Sequence, residues 1–384
     1  MSQPSLPLFT SALSTLYGPL SPSSIPSPST WNPPQRSGGH KGRYLWTDAF
    51  GVLNLLTLHR EHTRSKPSSS AEEPGTHYLT LAARLIAAVH ETLGRTRDSS
   101  ARLRGASETN PLGGGLRIGK LDAAGPDGDG QYHHYLTLWM FALNRMAVAA
   151  GDASYNDAAI ALAKAIHGAF FVKKGSASAS AKPRMVWKVS CDLSEVLVGS
   201  EGNLDAVDGF VVFRLLAATE DSGQGVLAEE IRDYQRVMER KGHHFVSSDP
   251  LDLGMTLWTM HWVAHEPWAE EIVERCFERV YDLFETSQHL SRNTKYRLAF
   301  REFGTALGIK CMAAQDPEKE RSVDLRVYAD RILENWATTM EVSLGDEKRD
   351  STPESLRPIT RVMFAAAIVP GAFQRGYFGP EPRL

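Results

Sequence analysis

Residues 251–265 read LDLGMTLWTMHWVAH, and residues 268–282 read WAEEIVERCFERVYD. The first stretch carries one carboxylate, Asp252, and no Lys or Arg. The second carries seven charged side chains: Glu270, Glu271, Glu274, Arg275, Glu278, Arg279 and Asp282. Both have helical apolar spacing, but a helix apolar on every side must be buried, whereas one with a single apolar stripe lies outside. Together they read as a hairpin of one inner and one outer helix.

The same alternation runs through the chain. Apolar segments fall at 46–60, 131–149, 205–219, 251–265, 297–313 and 359–370. Amphipathic, charged segments fall at 77–94, 155–171, 226–241, 268–288 and 323–343. Six inner helices need six outer ones, and only five follow in sequence. Residues 7–17, PLFTSALSTLY, have helical apolar spacing and stop at Gly18, so they supply the sixth. The pattern predicts an all-α fold, an (α/α)₆ barrel or toroid of helical hairpins forming one domain over 1–384. An open solenoid of stacked pairs is the alternative, and unequal repeat lengths disfavour it.

Between the helices, residues 19–40 are rich in Pro and Ser and read as an extended strap or arm. Biased loops are expected at 65–76, 98–115 and 174–183. Residues 185–190, MVWKVS, alternate as a strand does, with 115–119, GLRIG, as the expected partner. Both read as minor β-ribbons over one mouth of the ring.

Composition excludes several classes of function. A net charge of −3 and a pI near 6.5 leave no electrostatic footprint for nucleic acid. Cys191, Cys276 and Cys311 are too few and too scattered for a disulfide framework or a zinc ribbon, so they read as free thiols. The N-terminus lacks a basic stretch followed by an apolar run, and nowhere do 18 apolar residues follow one another. Neither a secretory signal nor a membrane span is expected. The chain ends in PRL at 382–384, which loosely resembles the Ser-Lys-Leu peroxisomal address, while cytoplasm is the default. Nothing in the sequence bears on oligomeric state.

Polar residues on dry inner helices require a reason. They cluster at the N-terminal ends: Asp48; Tyr132, His133 and His134; Asp205 and Asp208; Asp252; Arg297, Arg301 and Glu302. In a hairpin toroid all inner helices run the same way, so these ends converge into a funnel able to take a small molecule. Gly51, Gly209, Gly254 and Gly304 let neighbouring inner helices approach closely.

Plainer readings stand beside these. Asp249 before Pro250 is a helix N-cap, and Asp48, Asp205 and Asp252 also suit the helix dipole. His261 and His265 lie four apart but lack a third ligand, so they read as structural and no metal site is expected. His133 and His134 point roughly 100° apart, so at most one faces the funnel. His243 and His244 sit in a loop and are uninformative. Arg297 and Arg301 share a helix face. Either they pair with Asp208, Asp252 or Glu302, or one is left for an anionic group on the ligand.

Two motif matches fail. Residues 114–121 have P-loop spacing, but Leu121 replaces the Ser or Thr that holds magnesium. A calcium loop starting at Asp127 puts Leu138 where a bidentate Glu is needed. No Gly-x-Ser-x-Gly or His-Glu-x-x-His occurs, and no cofactor is expected.

Residues 116–139, LRIGKLDAAGPDGDGQYHHYLTLW, run from a glycine-rich turn holding Asp127 and Asp129 straight into an inner helix. Together with 46–51, WTDAFG, and 296–304, YRLAFREFG, this stretch resembles the six-hairpin glycosidase-like superfamily, more closely a poorly characterised subgroup of it, over roughly 41–313. The resemblance implies a helical toroid. It also implies either glycoside hydrolysis by paired carboxylates or sugar epimerisation by histidines with arginine support. No catalytic pair aligns residue by residue.

The leading expectation is a sugar-active hydrolase that uses a carboxylate pair. Asp129 and Asp208 come first for that pair, and Asp48 third. Trp46, Tyr132 and Tyr296 would stack on sugar faces. Arg297 and Arg301 would bind hydroxyls or a carboxylate, with Asp127, Asp205, Asp252 and Glu302 lining the site. The alternatives are an isomerase, epimerase or cyclase with His133 or His134 as acid/base, and a non-catalytic binding protein that keeps the fold.

Overall fold

The computed structural model describes residues 5–64, 76–125, 127–172, 184–220, 225–241, 246–346 and 348–384. The expected loops at 65–75 and 174–183 and the tandem His243–His244 lie outside the described residues. Helix accounts for 62% of the chain and strand for 3%, so the fold class is all-α. Among the described residues there are twelve α-helices, and none is long and apolar enough to cross a membrane.

Two compact units divide these helices: residues 21–241 with 380–384, and residues 1–20 with 242–379. In the 21–241 unit, α2 (Leu45–Arg64), α4 (His133–Ala150) and α6 (Asp205–Thr219) form the core, α4 packing against both α2 and α6. Every residue of α2 from Leu45 to Leu58 is buried. Its partner α3 (Thr76–Leu93) instead buries a stripe of Tyr78, Leu81, Leu85, Val89 and Leu93. Helices α5 (Ser154–Phe170) and α7 (Ala228–Lys241) pair likewise with α4 and α6. The Pro/Ser-rich strap lies against α3, where the Arg84 side chain donates to the Trp31 carbonyl at 2.9 Å.

The other unit repeats the plan. Helices α8 (Pro250–Met260), α10 (Ala299–Ala313) and α12 (Arg357–Ile368) are buried along most of their length. They pair with α9 (Pro267–Tyr281), α11 (Glu320–Gly345) and α1 (Ser5–Tyr17), which packs on α12 as the 7–17 reading anticipates. Backbones touch where α8 crosses α10. A Cβ on Gly254 would stand 2.2 Å from the Gly304 carbonyl, and one on Gly308 would stand 1.9 Å from the Gly254 oxygen. Asp249 caps α8, accepting from the Leu251 and Asp252 amides at 3.0 and 3.2 Å.

Two expectations change. Segment 251–265 is helical only to Met260; beyond it the backbone tightens into turns, Val263 to Met260 and Glu266 to Val263, ahead of Pro267. The strand reading of 185–190 holds, but its partners differ. Strand β4 (Lys188–Val189) pairs antiparallel with β1 (Gln131–Tyr132) and β5 (Val196–Val198), while β3 (Arg184–Met185) pairs with β2 (Phe171–Val172). Segment 115–119 is occupied elsewhere: the Arg117 amide donates to the Leu93 carbonyl, and the Ile118 carbonyl accepts from the Leu45 amide.

Candidate functional site

The described side chains at the N-terminal ends of α2, α4 and α6 fall into two kinds, those with every polar atom satisfied and those without. Asp129 is of the first kind. One carboxylate oxygen takes Arg97 and Arg117 at 2.7 and 2.5 Å, and the other takes the Gly119, Lys120 and Gly130 amides at 2.9–3.2 Å. Five donors use its acceptor capacity and tie residues 95–130 into one loop. With its acceptor positions filled, Asp129 is better suited to a framework role than to the catalytic one expected of it. Asp48 is similar: it is fully buried and holds Ser37, Arg43 and the Tyr44 amide. Asp127 is exposed.

Asp205, in the first turn of α6, is of the second kind. It is 2% exposed, yet its Oδ1 makes no hydrogen bond. His133 Nδ1 stands 3.5 Å from that oxygen and His134 Nδ1 3.8 Å from it, within electrostatic reach of both imidazoles. Burial alone would raise the Asp205 pKa. The attraction of His133 and His134 outweighs burial and holds the carboxyl well below its ordinary range.

The two histidines then part ways. His133 is buried, and its Nε2 meets the Tyr234 hydroxyl of α7 at 2.7 Å. Burial, with Asp205 and other nearby carboxylates, pushes the Tyr234 phenol well above its usual pKa, so the hydroxyl keeps its proton. Gly209 makes room for the arrangement. A Cβ there would lie 2.2 Å from the Tyr234 ring, so this glycine serves an outer helix and not an inner neighbour as expected.

His134 is partly exposed and set among aromatic rings. Tyr132 stacks on it at 6.0 Å, and Tyr135 and Trp46 present edges at 4.8 and 5.7 Å. Trp187 leans on Tyr132 at 5.1 Å, held by the β1–β4 ladder and by the His133 amide donating to the Trp187 carbonyl. The Tyr44 and Tyr135 hydroxyls meet at 2.9 Å. Of the rings expected to contact a ligand, Trp46 is buried at 2% exposure, while Tyr132 stands at this edge. Asp208 lies one turn beyond Asp205 on the same face of α6 and is 4% exposed. Tyr234, Tyr135 and Trp187 escaped the sequence reading. Tyr234 was detectable as an aromatic on the buried stripe with Val237 and Met238, in a helix otherwise densely charged.

The remaining candidates belong to the other unit. Glu302 is saturated by four donors: Arg297 through Nε at 2.7 Å and through Nη2, His289 at 2.9 Å, and the Trp336 indole at 2.8 Å. Arg297 also donates to the Leu290 and Arg292 carbonyls and to Asn335. Arg301 pairs with Asp249. Both arginines are therefore paired, Arg297 with Glu302 as anticipated and Arg301 with the N-cap aspartate. Tyr296 is 77% exposed, with Lys295 over its ring, and Asp252 is half-buried in the first turn of α8. No protein-family model matches the chain, and no curated protein matches it.

Proposed function

We propose that the chain is a toroidal all-α enzyme that moves a proton on a small polyhydroxylated metabolite, with His134 as acid/base and Asp205 as its carboxylate partner. One observation carries this reading: a reachable imidazole bordered by rings faces a buried, ionised carboxylate whose near oxygen has no hydrogen bond. Such a carboxylate orients the imidazole and stabilises its protonated form, while the outer ring nitrogen takes and returns a substrate proton. Tyr135 and Trp187, both partly exposed, would meet the C–H side of a sugar-like ligand, with the buried Tyr132 ring behind them.

Closure of the hairpins into an (α/α)₆ ring belongs to the same proposal and agrees with the resemblance to the six-hairpin glycosidase-like superfamily. Three inner–outer pairs in each unit, with α1 completing the last, supply the parts. A crystal structure with the hairpins closed into a ring is expected, and an open arc would overturn closure.

Hydrolysis is the second reading, favoured by Asp205 and Asp208 sharing one face of α6 as the remaining carboxylate pair. The test is proton NMR of aldoses, ketoses, N-acylated amino sugars and disaccharides incubated with the protein in deuterium oxide. Loss of one carbon-bound proton signal is expected, slowed at least about 100-fold in His134→Gln. A new reducing end without deuterium uptake would replace proton transfer by hydrolysis. No change in any substrate would leave a binding protein.

A further inference from the structure

A cavity lies wholly within the 242–379 unit, where α8 and α10 end and α9 and α11 begin. It encloses about 620 Å³, within the range of roughly 300–1,000 Å³ typical of small-molecule sites. Val273, Phe277, Met312 and Leu325 form an apolar floor, and each is at least nine-tenths buried. Over that floor stand polar groups with unused capacity.

Ser322, in the first turn of α11, lines the cavity at 7% exposure, and its hydroxyl has no hydrogen-bond partner among the described residues. Its oxygen is not sealed from solvent, so a ligand group can take the place of water there. Arg375 is the second such group. Its backbone amide donates to His261 Nε2 at 3.0 Å, and His261 is itself fixed by the Trp258 carbonyl, so the residue is firmly placed. The Arg375 guanidinium meets His265 Nδ1 at 3.4 Å and pairs with no carboxylate among the described residues.

The acids of the cavity decide the ligand's charge. Glu274 is paired with Arg321, and Glu266 accepts the Trp268 indole N–H. Glu270 and Asp316 remain on the rim and would repel a dianion. We propose that this cavity binds a small monocarboxylate with an apolar body. The carboxylate is held by the Arg375 fork and the Ser322 hydroxyl, and the body lies on Phe277 and Leu325.

Isothermal titration of the full chain with benzoate, acetate and inorganic phosphate at neutral pH tests this. Benzoate is expected to bind, with acetate and phosphate both weaker. Arg375→Gln is expected to weaken benzoate at least about tenfold. Ser322→Val keeps the melting temperature, since no hydrogen bond is lost, and weakens benzoate as well; it decides the matter should Arg375→Gln fail to fold. No heat from benzoate up to about 10 mM would overturn the proposal. Undiminished affinity in the variants, or phosphate binding more tightly than benzoate, would overturn it too.

Discussion

Asp205 and Glu302 occupy matching places, each in the first turn of a buried helix, one in each unit, and each within reach of histidine. Their surroundings differ. Glu302 is met by four donors within hydrogen-bond distance, from Arg297, His289 and Trp336. Asp205 Oδ1 has two imidazole nitrogens at 3.5 and 3.8 Å and no hydrogen bond. A saturated carboxylate fixes a framework and has nothing left to exchange. An ionised carboxylate with spare acceptor capacity beside a reachable imidazole is equipped for proton transfer.

The sharpest break in this comparison comes from removing the Glu302 charge. Glu302→Gln leaves the Arg297 guanidinium buried without its counter-ion, and the unfolding free energy should fall by about 3–5 kcal/mol in urea titrations. A loss below about 1 kcal/mol would mean that the node is not structural.

Next in size is an acid sensitivity within the 21–241 unit. His90 accepts the Trp139 indole N–H at 3.1 Å, and burial lowers its pKa to about 4. The folded value lies below the unfolded 6.5, so the folded state binds fewer protons. The contribution is complete above pH 6.5 and is lost as pH falls toward 4, by up to about 3 kcal/mol. Urea midpoints at pH 7 and 4.5 should separate more for the wild type than for His90→Gln. Equal separation would remove His90 from the account.

Smaller effects probe the support behind Asp205. Gly209→Ala drives a methyl into the Tyr234 ring and should cost about 1–3 kcal/mol. Tyr234→Phe removes only the hydroxyl bonded to His133 and should cost about 1 kcal/mol by chemical denaturation. If the alanine variant proves as stable as the wild type, the ring is not where it is described.

Helix placement was legible because burial writes itself into local composition. The segment 205–219 reads as apolar and forms α6 over the same residues, and PLFTSALSTLY forms an outer helix on α12. The state of each carboxylate was not legible, because donors arrive from remote segments. Asp129 is filled by Arg97 and Arg117, which precede it by 32 and 12 residues, and His133 is met by Tyr234, 101 residues on. Strand partners were hidden for the same reason. The Arg117 amide is claimed by Leu93 at the end of α3 and the Ile118 carbonyl by Leu45 at the start of α2, which no local alternation records.

The most direct test sets Asp205→Asn beside Glu302→Gln, measuring for each both unfolding free energy and the rate of solvent deuterium uptake into substrate. The expected result is a division of labour. Asp205→Asn should lose exchange by at least about 100-fold and some stability, since two imidazoles hold its carboxylate ionised, while Glu302→Gln should lose more stability and keep exchange in the molecules that stay folded. An Asp205→Asn protein as destabilised as Glu302→Gln, with exchange intact, would contradict the account.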